Sequence, residues 1–407
     1  MDIEIAKLGA VNDGSYINTS IIQKAIDECS ASGGGRVIIS GGTYVTGKLI
    51  LKSNVNLHIA SDGVLKGAAE YEHYPETENV SHVDSLLLPR TRNACLIFAD
   101  ECENISITGN GAIDCNGDKY VVPIEGNPRR WTYKRIDTLT PPRAVFFTGC
   151  KNIKVEDIAV INLPAGWGFW IHDCDYVTFD KVKVIADVHY PNNDGIHVNC
   201  SRNVTISNCS IICGDDCIVV RANSVSLKEN KVCEKVVVTN CNLTSHASGI
   251  RIGWINDGVI RNCAFSNIIM TETVVGIYMV LPYKKFGIQN FTIPDPIVST
   301  DVGREYTLIE NISFNNVIMD NIDYKPIVIK IDNHSDVHCK GIRNIYFSNL
   351  HAKGHFPDIQ GREDCHLSNI HFSDCTFEVA KSDEPPCMTM RYADNLHFNN
   401  INFTIDT

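Results

Sequence analysis

Two short segments carry carboxylates at a spacing that invites chemistry. They are Pro191-Asn192-Asn193-Asp194-Gly195-Ile196-His197 and Cys213-Gly214-Asp215-Asp216-Cys217-Ile218, and they set Asp194 and Asp215 21 residues apart. Neighbouring residues on a regular strand point to opposite faces, so Asp215 and Asp216 face one way only at a turn or bulge, which Gly214 permits. Taken alone, Asn-Asp-Gly and Gly-Asp-Asp are ordinary turn signals. If 21 residues is one coil of a repeating chain, the three aspartates share a small patch of the outer wall, with about 4.8 Å between coils. Three carboxyl groups so close cannot all ionise freely, so at least one should hold its proton. A protonated acid beside ionised bases is what glycoside hydrolysis requires. The same cluster suits a hard cation such as calcium, and the residues alone leave that alternative open.

The elements that must position these carboxylates repeat along the chain. A polar cap, an Asn or its substitute, and alternating apolar residues recur as Cys102-Glu-Asn-Ile-Ser-Ile, Cys150-Lys-Asn-Ile-Lys-Val and Leu367-Ser-Asn-Ile-His-Phe, among others. The aligned positions Asn104, Asn152, Tyr176, Asn203, Lys235, Asn311, Asn344 and Asn369 step by 48, 24, 27, 32, 76, 33 and 25 residues. A unit of about 24 residues, at times doubled, tripled or carrying a loop, accounts for the series. Each unit holds strand-length segments of period two, rich in Val, Ile, Thr and Phe. This predicts an all-β chain, a right-handed parallel β-helix, running as one domain through residues 1–407. The recurring Asn is expected at an interior turn, its amides stacking from coil to coil. Cys150, Cys174 and Cys200 recur at the same pitch and read as small apolar fillers of the core.

Residues 1–35 read as an N-terminal cap. Asn18-Thr19-Ser20 offers capping oxygens, and Ile21, Ile22, Ala25, Ile26 and Cys29 share one face of a short helix that Ser32-Gly33-Gly34-Gly35 ends. The helix should cover the strand edges of the first coil.

Composition narrows the function classes. The chain has 407 residues, 44% of them hydrophobic and 21% charged, and a formal charge of −12. These are globular values, and the acidic balance argues against a nucleic-acid partner. No apolar run is long enough to span a membrane. The 17 cysteines form no dense short-range framework and suit free thiols in a reducing compartment. With no basic and apolar leader at the start, the expectation is a cytoplasmic protein, or a secreted one if a leader has been removed.

Beyond these readings, the sequence resembles the polygalacturonase family of glycoside hydrolases over most of its length. Leu8-Gly-Ala-Val-Asn-Asp-Gly, Gly33-Gly-Gly-Arg-Val and Gly42-Thr-Tyr-Val-Thr-Gly-Lys-Leu look like the family's N-terminal signature. Asn193-Asp194-Gly195-Ile196 resembles its Asn-Thr-Asp-Gly motif, and Gly214-Asp215-Asp216-Cys217-Ile218 matches its second motif letter for letter. The resemblance implies an inverting hydrolase acting on pectin-derived, galacturonate- or rhamnose-containing oligosaccharides. Asp215 would be the general acid, and Asp194 and Asp216 would hold and deprotonate the attacking water. A wide gap of about 6.5–9.5 Å between acid and base is expected for inversion. A cytoplasmic enzyme would meet short oligosaccharides, which favours exo-action. No cofactor and no metal is implied, and the oligomeric state is open.

Two departures from the family pattern matter. Its Gly-His-Gly would put a histidine where Ser248 stands, and His246, two residues earlier, is the remaining candidate. Its Arg-Ile-Lys would fall near Gly276-Ile277-Tyr278-Met279-Val280, where both basic residues are missing. Arg251 is the candidate replacement for holding a uronate carboxylate, since a guanidinium binds one bidentately. Asn193, Tyr278 and Trp254 are further candidates for substrate contact. Trp131, Trp167 and Tyr283 suit either sugar stacking or loop packing. The pairs His334/His338 and His351/His355 lie in non-helical segments, where a four-residue spacing does not converge two zinc ligands. Two rivals remain: a calcium-dependent polysaccharide lyase with Arg251 as base, and a non-catalytic glycan-binding solenoid.

Overall fold

The computed structural model describes residues 1–88, 92–126, 130–136, 142–254, 257–281, 307–331, 339–379 and 388–405. The chain divides into two compact units. One is Met1–His197 with Val204–Asp215, the other Val198–Asn203 with Asp216–Thr407.

Both units are built of parallel strands that return at each coil, the right-handed parallel β-helix expected from the repeats. In the first unit, Glu103–Thr108, Lys151–Glu156 and Asp175–Asp180 lie in register, with Ile105, Ile153 and Val177 stacked inward. In the second, Cys233–Ser245, Val259–Leu281, Thr307–Ile331, Cys339–Gly354 and Leu367–Val379 follow one another. Phe265, Phe314, Phe347 and Phe372 form a continuous stack there, with ring centroids 4.8, 5.0 and 4.8 Å apart. β-branched and aromatic residues at every second position give this core, because side chains alternate across a strand.

The coil count differs from the simplest reading of the steps. Lys151 pairs directly with Glu103, so the 48-residue step is one coil carrying an insertion, not two coils. The 76-residue step is two coils, since Val237 pairs with Ala264 and Cys263 with Ile312.

The recurring Asn also sits differently from expectation. Asn104, Asn152, Asn311 and Asn344 have φ of 55–58° and lie on the exposed side of the turn, not in the interior. The left-handed conformation is what selects Asn there. The amides still form a ladder: Asn152 donates to Asn104 at 3.0 Å, Asn344 to Asn311 at 2.9 Å, and Asn369 to Asn344 at 2.9 Å.

The helix spans Thr19–Ala31 and buries Ile22, Ala25, Ile26 and Cys29. Asn18 does not cap it with its side chain; its amide bonds Val11 and the carbonyl of Tyr16 instead. The helix covers a strand edge directly. Gln23 donates to the Ile50 carbonyl and accepts from the Ile50 amide, and Thr19 accepts from the Gly47 amide. Among the described cysteines all sixteen are free; fifteen are buried, and Cys365 is half-buried.

Candidate active site

Asp194 and Asp215 both belong to the first unit, and carboxylate oxygens of the two lie within 4.8 Å of each other. The peptide bond then fixes Asp216 beside Asp215. All three side chains are buried, with 4%, 9% and 4% of their surface exposed, and do not stand out on an open wall. The separation of the two nearest oxygens is shorter than the gap expected for an inverting pair.

The loop that presents Asp215 is held tightly. Gly214 donates to Asn193 Oδ1 at 2.6 Å, and Asn193 Nδ2 donates to the Asp187 carbonyl at 2.7 Å. Asn193 is thus fully buried and joins two stretches of main chain. A Cβ at Gly214 would lie 2.2 Å from the Tyr190 carbonyl oxygen, so only glycine fits this approach. Asn192, at φ 56°, gives Asp215 Oδ2 two donors, its backbone N–H at 3.2 Å and its Nδ2 at 3.0 Å. Arg135 Nη2 in turn donates to Asn192 Oδ1 at 2.6 Å.

Asp194 has a partner that the sequence reading passed over. His197 Nε2 lies 2.9 Å from Asp194 Oδ2, and its ring stacks on Trp167 with centroids 4.2 Å apart. Both rings are buried, so Trp167 packs inside the site wall. The signal was present, a histidine three residues after an aspartate across a glycine, yet nothing local distinguishes it from a core histidine.

Asp216 belongs to the second unit, where Arg251 Nη1 lies 3.3 Å from its Oδ2. The guanidinium lies 3.6 Å from the Trp254 ring centroid and 4.8 Å from that of Tyr278. Register explains the grouping, since Val219, Arg251 and Tyr278 stand one above another. Trp254 is anchored by its backbone N–H to Asp257 at 2.7 Å, and Asp257 pairs with Arg221 at 2.9 Å. Asp257 is fully buried, which pushes its carboxyl pKa up, opposed by the Arg221 charge. The amide of Cys217 donates to the Ser248 carbonyl at 2.9 Å, and Ile218 pairs with Ile250, which puts Ser248 at the register position of Asp216. His246 sits half-buried on the bend two residues before it. Tyr283, His334 and His338 lie outside the described residues.

The insertion in the coil from Glu103 to Lys151 reaches the loop of Asp215. The hairpin of Val121–Pro123 and Tyr133–Arg135 brings Arg135 onto Asn192. Just before it, Trp131 Nε1 donates to the Gly214 carbonyl at 2.6 Å, and Arg130 lies over the Trp131 ring at 4.3 Å. No periodicity marks Arg130 or Arg135, because they stand outside the repeat.

The chain is similar to known proteins in sequence and in fold. Residues 89–233, which hold all three aspartates, match glycosyl hydrolases family 28. The chain is 26% identical to a probable polygalacturonase of Vitis vinifera over 54% of this chain and 44% of that protein. It is 28% identical to an exo-poly-alpha-D-galacturonosidase of Dickeya chrysanthemi over 53% of this chain and 41% of that protein. The chain thus spans about half the length of the curated relatives it matches. The crystal structure of a hyperthermoactive exopolygalacturonase from Thermotoga maritima shares the fold, with a TM-score of 0.71 and 21% identity over 99% of this chain and 91% of that one. The chain is thus similar to polygalacturonases, and its residues 89–233 match the glycosyl hydrolases of family 28.

Proposed function

We propose that the protein hydrolyses O-glycosidic bonds of pectin-derived oligosaccharides, with inversion and from the chain end. The observation that carries the reading is the pair Asp194 and Asp215, with Asp215 bonded through Oδ2 to Asn192. Two N–H donors occupy Oδ2, so the proton of a neutral Asp215 resides on Oδ1 and is delivered from there to the glycosidic oxygen. The same two donors stabilise the carboxylate left behind. Asp194, oriented by His197, and Asp216, oriented by Arg251, take the proton of the attacking water. Water's oxygen bonds the anomeric carbon as the bond to the leaving sugar breaks, and the water's proton replaces the one Asp215 gave up. Asn193, tied to main chain on both sides, positions the loop. Arg251 holds Asp216 and packs against Trp254 and Tyr278. His246 lies on a bend two residues before Ser248.

A covered flank supports exo-action. Cys95–Asp100, Arg143–Thr148 and Phe169–His172 are buried on both faces, apart from half-buried Asp100, whereas neighbouring Glu103–Thr108 exposes one face. Lys48 Nζ stands over Phe98 and donates to the carbonyls of Pro75 and Asn93. Arg143 packs against Trp167 and Trp170 and donates to the Arg92 carbonyl at 2.6 Å. Strands covered in this way favour the entry of a chain end over the passage of a long polymer. The name of the Dickeya chrysanthemi relative points the same way.

The test is hydrolysis of a panel of galacturonate- and rhamnose-containing oligosaccharides, with early products read by NMR. Single sugars released from one end as the inverted anomer support the reading. The short carboxylate separation makes the anomer the decisive observation, since a retained anomer would refute inversion. Unsaturated products lost on adding a chelator would support the calcium-dependent lyase instead.

A further inference from the structure

We propose that Cys339 and Cys365 are a thiol pair that peroxide oxidises to a disulfide, stapling two successive coils of the second unit. Cys339 opens the strand Cys339–Gly354, and Cys365 lies two residues before Leu367–Val379. These strands pair in parallel, with Arg343 opposite Ser368, four residues after Cys339 and three after Cys365. The thiols therefore enter neighbouring coils side by side. Such neighbours stand about 4.8 Å apart, within the roughly 4.4–6.8 Å between Cα atoms that a disulfide spans. Cys365 Sγ donates to the Cys339 carbonyl at 3.1 Å, and the two thiols also hydrogen-bond each other.

The pair differs from the other stacked cysteines. Cys102 and Cys150 are also in contact, the Cys102 amide lying 3.4 Å from the Cys150 sulfur, but both side chains are buried. The hydrogen bond with Cys150 raises the Cys102 thiol, and burial raises that of Cys150. Among the described cysteines Cys365 is the half-buried one. Its thiol is pulled below the ordinary value, first by the hydrogen bond with Cys339, while the same bond pushes Cys339 up. Access and thiolate character thus coincide at Cys365, with Cys339 beside it to resolve an oxidised sulfur. The turn that carries Cys365 is held in place. The Cys365 N–H donates to the Arg362 carbonyl at 3.1 Å, and the Arg362 N–H donates to the Cys365 carbonyl at 2.9 Å. A Cβ at Gly361 would lie 2.1 Å from the Tyr392 carbonyl oxygen, so this turn is pressed against the next coil.

The Cys365 thiolate attacks hydrogen peroxide. An S–O bond forms, the O–O bond breaks, and hydroxide leaves, taking up the proton that Cys365 gave up. The Cys339 sulfur then attacks the sulfenic acid; the S–S bond forms, the S–O bond breaks, and the oxygen leaves as water with the Cys339 proton. Two thiols lose two electrons, and peroxide is reduced to two waters.

The test treats the purified protein with hydrogen peroxide and maps its cysteines by mass spectrometry before and after dithiothreitol. A cross-linked peptide joining Cys339 to Cys365, lighter by two hydrogens, is expected. Closing this loop should raise the melting temperature by roughly 3–8 °C, reversibly with dithiothreitol. Cys365→Ser and Cys339→Ser should each lose the cross-link and the shift. Iodoacetamide labelling of the native parent needs no variant, and Cys365 should react ahead of the buried cysteines. Sulfinic acid at Cys365 with no cross-link, a disulfide from Cys365 to another cysteine, or labelling in which Cys365 does not lead would each overturn the assignment. A cross-link that leaves the melting temperature unchanged would refute the staple.

Discussion

Replacing Asn192 by glycine tests how the acid is set up. Asn192 occupies φ 56°, which glycine adopts without strain, so the substitution removes the side chain and spares the backbone. The backbone N–H, 3.2 Å from Asp215 Oδ2, remains; the Nδ2 donor at 3.0 Å and the Arg135 bond to Oδ1 at 2.6 Å are lost. A hydrogen bond to a charged group contributes about 1.5–3 kcal/mol. It acts on the carboxylate that forms as the proton leaves, so kcat should fall about tenfold to a hundredfold with KM held. Steady-state kinetics on a galacturonate oligosaccharide, beside a thermal melt, measures it. Arg135→Met should lose less, and the double variant no more than Asn192→Gly alone, because Arg135 acts through Asn192. A kcat within about twofold of the parent, in a protein that melts normally, would refute the claim that Oδ2 is held as the acceptor and Oδ1 carries the proton.

Asp215→Asn should lower kcat by at least about a thousandfold with little change in melting temperature, since proton delivery is lost outright. His82 is held above its ordinary pKa chiefly by its bond to Asp173, with Nε2 and Oδ2 3.0 Å apart. Its folded pKa is raised, so its contribution is complete below about pH 6.5 and fades as pH rises through the folded value. The melting-temperature deficit of His82→Gln should therefore be largest in acid and shrink towards pH 9; a constant deficit would assign it to packing. Asn344→Ala loses the ladder bonds to Asn311 and Asn369 and strains a residue at φ 57°, for a cost of about 1–3 kcal/mol in chemical denaturation. Asn344→Gly should cost visibly less, and equal costs would remove backbone strain from the explanation.

The coil was legible because each turn imposes the same demands on the chain. Inward positions such as Ile105, Ile153 and Val177 must be apolar, and the left-handed turn must carry Asn or a tolerated substitute. Those demands leave a period in the sequence. Asp194 and Asp215 were legible for the same reason, being about one period apart. The exposed placement of the Asn ladder was not, since a short apolar strand following Asn looks the same whether its amide turns inward or outward. The partners of the aspartates were harder still. His197 reads as an ordinary strand residue, and Arg251 as a free charge, until register puts it against Trp254, Tyr278 and Asp216.

What determines the reaction beyond its carboxylates stands mostly where the period breaks. The coil from Glu103 to Lys151 carries an insertion that supplies Trp131 and Arg135. The segment before Cys95 supplies Pro75, Arg92 and Asn93, which close over Lys48 and Arg143. A coil residue cannot move without disturbing the coils it stacks on, so the wall fixes the aspartates and can do little else. An insertion stands outside the repeating ladder and can vary at smaller cost to stability. Selection for a different sugar would therefore act on the hairpin and leave Asp194, Asp215 and Asp216 in place. It follows that substitutions in the hairpin should change which sugars are cleaved, whereas Asp215→Asn should abolish cleavage of them all.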